Sequence, residues 1–107
     1  MTEPAFYILT ALVGTPLHGY GIVREVEEIS GGRVNLKIGS LYGVLERLVS
    51  DGLVEFDREE AHQGRLRRYY RISGAGRNAL AAEAARQAAN ARAATQRLRA
   101  FQPGTAG

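Results

Sequence analysis

"RLRRYYRI", residues 65–72, alternates with a period of two. Leu66, Tyr70 and Ile72 fall on one side, with Arg68 in the same register. Arg65, Arg67, Tyr69 and Arg71 fall on the other. Alternation over this length predicts a half-buried β-strand. Just upstream, "LVEFDR" at 53–58 is rich in strand formers, and "EEAHQG" at 59–64 reads as a polar loop ending in glycine. Two strands joined by a short glycine-containing connection form a hairpin. An isolated hairpin is marginal in water, so the fold depends on what flanks it.

Three helical patterns precede the hairpin. In "KIGSLYGVLERL", residues 37–48, Ile38, Leu41, Tyr42, Leu45 and Leu48 recur at helical spacing. This helix is expected from about 37 to 51 and is closed by Asp51-Gly52. Its opposite face carries Gly39, Ser40, Gly43 and Val44. Glycine inside a helix costs about 1 kcal/mol relative to alanine, and alanine is plentiful elsewhere in the chain. "LHGYGIVREVEEIS" predicts a helix from about 18 to 30, with Ile22, Val26 and Ile29 as the buried stripe and Gly31-Gly32 as the stop. The first segment, "PAFYILTALVG", starts with a first-turn proline and is closed by Gly14 and Pro16. It is apolar nearly all round, so both faces need cover. One face suits the core of the domain and the other a second subunit.

After the hairpin, Ser73 offers an N-cap for "GAGRNALAAEAARQAANARAATQRLRAF", residues 74–101. A continuous helix there would be about 40 Å long, too long to pack fully on so small a domain. Leu80, Ala84, Ala91, Ala94, Leu98 and Phe101 fall near a 3–4 spacing, interrupted by Gln87. "QPGTAG", residues 102–107, has the composition of a disordered tail. The expected division is 1–73 for a domain of helices and hairpin, 74–101 for a C-terminal helix and 102–107 for the tail.

With 107 residues and no cysteine, the chain is one domain without disulfides or thiolate metal sites. His18 and His62 lack ligand spacing. No apolar run approaches the roughly 20 residues of a membrane span, and "MTEPAF" is unlike a signal peptide; a cytoplasmic location without membrane contact is expected. The net charge of +3 is modest, but its distribution is not. Residues 64–77 hold five arginines and no acid, whereas residues 55–60 hold four acids and one base. Such a patch is either a solvated face or the footprint of an anionic partner.

Helix, helix, helix, hairpin, long helix is the order of a winged helix-turn-helix. The fold class is therefore mainly α with a small β-hairpin, plus a long C-terminal helix. In that arrangement the third helix enters the major groove of double-stranded DNA, and the hairpin meets the neighbouring backbone. Gly39, Ser40 and Gly43 would let the helix approach closely, Val44 could meet a thymine methyl, and Lys37 and Arg47 flank them. Arg65, Arg67, Tyr69 and Arg71 suit phosphate oxygens, Arg65 and Arg67 best because they lie nearest the loop. Tyr20 stands at the start of the second helix, where free N–H groups favour phosphate. Local alternatives stand beside these readings. Gly39 eases a helix start, Ser40 caps a first turn, Tyr20 and Tyr42 pack in the core, and Arg47 pairs with Glu46 or Asp51. Arg68, on the Leu66 side, has Glu55 and Asp57 as candidate partners.

Three stretches, "LHGYGI" (17–22), "GSLYGVLERLVSDGLVE" (39–55) and "GRLRRYYRISGAGRNAL" (64–80), resemble the PadR family of bacterial transcriptional regulators. The resemblance implies a homodimer held by the C-terminal region that represses a nearby promoter or operator and releases it on binding a small effector. The single C-terminal helix is similar to that of the family's short branch, in which the last helix crosses the partner's first helix and some members take flat apolar or aromatic molecules between subunits. Phe6, Tyr7, Leu80, Ala84, Ala91, Leu98 and Phe101 are the expected dimer contacts; effector residues are not assigned. Lys37-Ile38 replaces the family's usual Ser-Pro, Gly43 stands where proline is common, and Ser73 replaces a threonine. There is no tryptophan for an indole-lined effector site. No catalytic triad, metal cluster, P-loop or carboxylate pair stands out, so neither an enzyme nor a cofactor is expected. The alternative to a DNA-binding regulator is a winged-helix module for protein contacts.

Overall fold

A computed structural model describes residues 1–104. Seven elements follow in order: α1 (Glu3–Leu12), β1 (Leu17–His18), α2 (Gly19–Ile29), α3 (Ile38–Ser50), β2 (Val54–His62), β3 (Arg65–Ile72) and α4 (Gly74–Ala100). Residues 105–107, half of the expected tail, lie outside the described residues.

Local chemistry sets the helix ends. The Thr2 hydroxyl accepts the Ala5 N–H at the start of α1, satisfying one orphan donor of the first turn. His18 does the same for α2 through its ring Nδ1, which accepts the Gly21 N–H. At α4, Ser73 Oγ accepts from the Gly76 N–H and donates to the Gly52 carbonyl, tying the helix start to the end of α3. No side chain caps α3, so the capping role considered for Ser40 is not realised.

The sheet is antiparallel with strand order β1-β3-β2. Val54 faces Ile72 and His62 faces Arg65, with a bulge between Phe56 and Arg58. The expected six-residue loop is therefore much shorter. Glu59–His62 continue β2, and only Gln63 and Gly64 turn the chain, both at positive φ (51° and 79°). Two residues with positive φ match the twist of a tight hairpin. The extension is polar and opposes Glu59 and Glu60 to Arg68 and Arg67, a favourable cross-strand charge pattern. β1, only two residues long, pairs Leu17 with Tyr70 and His18 with Tyr69.

The core lies where α1, α2 and α3 meet the base of the hairpin. Ile8, Leu9, Leu12, Ile22, Val26, Leu41, Leu45 and Val54 are almost wholly removed from water. Three residues assigned to buried faces are instead open. Ile29 and Tyr42 lie at the margins of their stripes and are 40% and 39% exposed, while Leu66 is 71% exposed because the hairpin tip projects beyond the core. Tyr42 keeps one contact inward: a Cβ at Gly19 would lie 2.6 Å from its hydroxyl oxygen. Glycine at 19 thus lets α3 close against the start of α2.

α4 is anchored only near its start. Gly76 and Glu83 are its buried residues, and a Cβ at Gly76 would collide with the Leu53 carbonyl. The Glu83 carboxylate accepts from Arg86 and from Gln87 at 3.3 Å and lies 3.7 Å from the Met1 amine. Beyond it every described side chain of the helix is exposed. The molecule is correspondingly elongated, 68 × 26 × 22 Å.

Candidate nucleic-acid interface

On α3, Gly39, Ser40, Gly43 and Arg47 are exposed and Val44 is half-buried against the core. Neither glycine has a positive φ, and nothing lies within 4 Å of the place a Cβ would take at either. The chain's own packing and backbone therefore accept a side chain at both positions, and the thin face looks outward. Lys37 stands exposed at the N-cap of the same helix. Part of this row turns sideways: Ser40, Gly43, Val44 and Arg47 form one wall of a groove of about 670 Å³, with Pro4 and Ala5 of α1 opposite.

The hairpin carries its charges in two zones. Near its base, Arg71 pairs with Glu55 (2.9 Å) and Asp57 (3.0 Å), and Arg58 pairs with Asp57 and Glu60 (both 2.6 Å). Hydrogen bonds from Arg58 and Arg71 hold the Asp57 carboxyl below the usual carboxylate range. The partner of Glu55 and Asp57 is thus Arg71, not Arg68, whose guanidinium lies 4.7 Å from the centre of the Phe56 ring. Toward the tip Glu59 and Glu60 stand opposite Arg68 and Arg67 in the ladder, but no ion pair closes. Among the described residues, no carboxylate is within ion-pair distance of Arg65, Arg67 or Arg68, nor of Lys37 or Arg47 on α3.

The start of α2 joins these two surfaces. Tyr20 is 60% exposed there, which removes the core-packing alternative. Tyr42 reaches it from α3, and burial pushes its hydroxyl up from the usual phenol value. From the sheet side, Tyr69 meets the His18 ring edge-on at 5.3 Å and is covered by Arg58 at 4.2 Å. Arg67 Nη1 lies 3.4 Å from His18 Nε2. Burial, followed by the charges of Arg67 and Arg24, lowers the His18 pKa. Sequence reasoning placed His18 only as the opening of a helix. Its one legible signal was position, since it fills an N-cap where serine, threonine, aspartate or asparagine is usual.

The residues expected at a dimer contact lie elsewhere. Phe6 and Tyr7 form a T-shaped pair at 5.4 Å on α1, both half-buried, and Arg33 donates to the Tyr7 hydroxyl. Leu80 packs partly on its own core. Ala84, Ala91, Leu98 and Phe101 are spread along the bare part of α4, with Leu98 and Phe101 71% and 74% exposed.

Residues 8–82 match the model of the PadR-like family of transcriptional regulators. A PadR family transcription regulator from hypervirulent Clostridium difficile superposes with a TM-score of 0.78 at 23% identity, covering 91% of this chain and 99% of that one; at that identity the likeness speaks for the fold. Bacillus subtilis PadR, solved in complex with operator DNA, shares 25% identity with a TM-score of 0.63, over 71% of this chain and 44% of its own. A 37.1 kDa transposon protein of Streptomyces fradiae is 43% identical over 77 residues, 72% of this chain. This chain spans only 21% of that relative's length. With its matching segment, winged-helix architecture and these neighbours, the chain belongs to the PadR-like family of transcriptional regulators.

Proposed function

We propose that this chain is a homodimeric regulator that binds operator DNA in the cytoplasm and represses transcription until a small apolar or aromatic effector releases it. The observation that carries the DNA contact is the pairing of two features on adjoining elements. α3 has open space at Gly39 and Gly43, and the hairpin tip has arginines without carboxylate partners. A helix with small outward residues fits a major groove about 12 Å wide. Ser40, Val44 and Arg47 line the edge of that contact, with Lys37 at its start. Arg65, Arg67, Tyr69 and Tyr20 take the flanking phosphates, which dominate affinity without reading sequence. The operator complex of the Bacillus subtilis relative supports the same partner here.

Residues 74–101 serve as the dimerisation helix of a domain formed by 1–73. Support comes from the bare length of α4 and from Leu98 and Phe101, two large apolar side chains left in water at its far end. The chemistry is binding rather than catalysis. The direct test is a gel shift on the promoter fragment upstream of the chain's own gene. Retardation that weakens steeply with added salt is expected. Failure to bind any such fragment at low salt would overturn the reading.

A further inference from the structure

Arg68 is the one arginine of β3 in register with Tyr70 and Ile72, the residues that pack on the core. Arg65, Arg67 and Arg71 alternate onto the other face of the strand. Two cross-strand neighbours compete for the Arg68 side chain. Glu59 stands directly opposite it, toward the hairpin tip, and Phe56 stands opposite Tyr70, toward the base. A facing acid is the ordinary partner for an arginine in a ladder. Here the guanidinium lies instead over the Phe56 ring, 4.7 Å from its centre, and among the described residues no ion pair joins it to Glu59. The ring is itself held edge-on by Tyr70 at 6.3 Å. This choice draws the charge back from the tip toward α3, where it bears on the Tyr42 hydroxyl. Tyr42 in turn reaches Gly19, next to the exposed Tyr20. A guanidinium stacked on a ring keeps its in-plane N–H donors free. One cation with free donors and two phenols thus border the crevice between the hairpin, α3 and the start of α2.

We infer that Arg68, held over the Phe56 ring, binds a DNA backbone phosphate in this crevice, and that Phe56 is its positioning residue. The inference rests on the DNA-binding reading above and deepens it by adding a contact on the hairpin face that the outward arginine row does not occupy. A duplex seated on α3 lies on the α3 side of the hairpin, which is the side Arg68 takes. Phe56 decides between two fates for that charge. Over the ring it is offered to a phosphate; at Glu59 it would be neutralised within the hairpin.

The test separates the ligand from the residue that aims it. On a short random-sequence duplex at low salt, Arg68→Ala should bind about tenfold more weakly, with a salt slope lower by about one. Phe56→Leu keeps the charge and an apolar side chain but loses the ring, so it should cost about two- to fivefold. Phe56→Tyr, which keeps the ring, should bind as the wild type does. The loss from Phe56→Leu should vanish once Arg68 is alanine, because the two residues act through one contact. It should also shrink in a Glu59→Gln background, where no acid competes for the guanidinium. In the free protein, the side-chain protons of Arg68 should show an upfield ring-current shift in NMR spectra that Phe56→Leu abolishes. Wild-type affinity and salt slope in Arg68→Ala would overturn the phosphate contact. A Phe56→Leu loss that persists in full without Arg68, or Arg68 protons without a ring-current shift, would overturn the positioning role. Absence of wild-type binding to any duplex would instead overturn the DNA-binding reading itself.

Discussion

Gly43 concentrates the functional argument in one atom's absence. It sits mid-helix, where alanine would be the more stable choice by about 1 kcal/mol, and open space surrounds the missing Cβ. A residue that costs stability and is not demanded by its own fold is best explained by what approaches from outside. Gly43→Gln should therefore fold, with a melting temperature equal to or above wild type. Its affinity for operator DNA should fall about tenfold or more, the scale of one lost close contact of roughly 1.4 kcal/mol. Calorimetry beside fluorescence anisotropy separates the two effects, and unchanged affinity would remove the close-approach role. Gly19 is the opposite case. The Tyr42 hydroxyl fills its Cβ position, so the residue is needed for packing.

At the scale of elements, most of the fold was legible because most elements bury an apolar face. The three helices show their stripes in Ile8 and Leu12, Ile22 and Val26, and Leu41, Leu45 and Leu48. The upper half of β2 was not legible because Glu59–His62 have no apolar face; only pairing with β3 makes them a strand. β1 was invisible for a simpler reason, as two residues carry no periodicity. At the site, the thin face of α3 and the arginine row could be read from residue type and spacing. The split of that row between Arg71, which is ion-paired, and Arg65 and Arg67, which form no ion pair, could not, because it depends on which acids the bulge at Asp57 brings across. The anchoring of α4 was also hidden, since Glu83 looks like an ordinary exposed helix residue. Hydrogen bonds from Gln87, then the nearby charge of Arg86, hold its carboxyl below the usual glutamate value. A lowered folded pKa stabilises the native state above the unfolded pKa, and this contribution is lost as pH falls through the folded value. Acidification below the ordinary glutamate range should thus loosen the start of α4. Glu83→Gln should show a flatter loss of stability over that window in circular dichroism, and an identical acid profile would refute the anchor.

For the whole molecule, the long axis of 68 Å reflects one helix that its own domain covers only at the start. No helix among the described residues is long and apolar enough to cross a membrane. The proposed dimer would cover the bare stretch of α4 with a second copy. Leu98→Asp should leave the monomer fold intact, because Leu98 touches no core residue. Burying a leucine is worth about 1.5–3 kcal/mol, so dimerisation should weaken by about ten- to a hundredfold in sedimentation equilibrium. A wild-type chain that sediments as a monomer at micromolar concentration would contradict the dimer.

The proposed seating of α3 in the major groove, with the hairpin on the adjoining backbone, can be read directly. The chain has no cysteine, so Glu46→Cys, exposed on α3, and Arg65→Cys, at the hairpin tip, each give one attachment point for a DNA-cleaving iron chelate. On operator DNA, cuts from residue 46 should be discrete and map to the major groove, and cuts from residue 65 should fall at the neighbouring backbone. Operator that is bound by the Glu46→Cys conjugate but left uncut would contradict it.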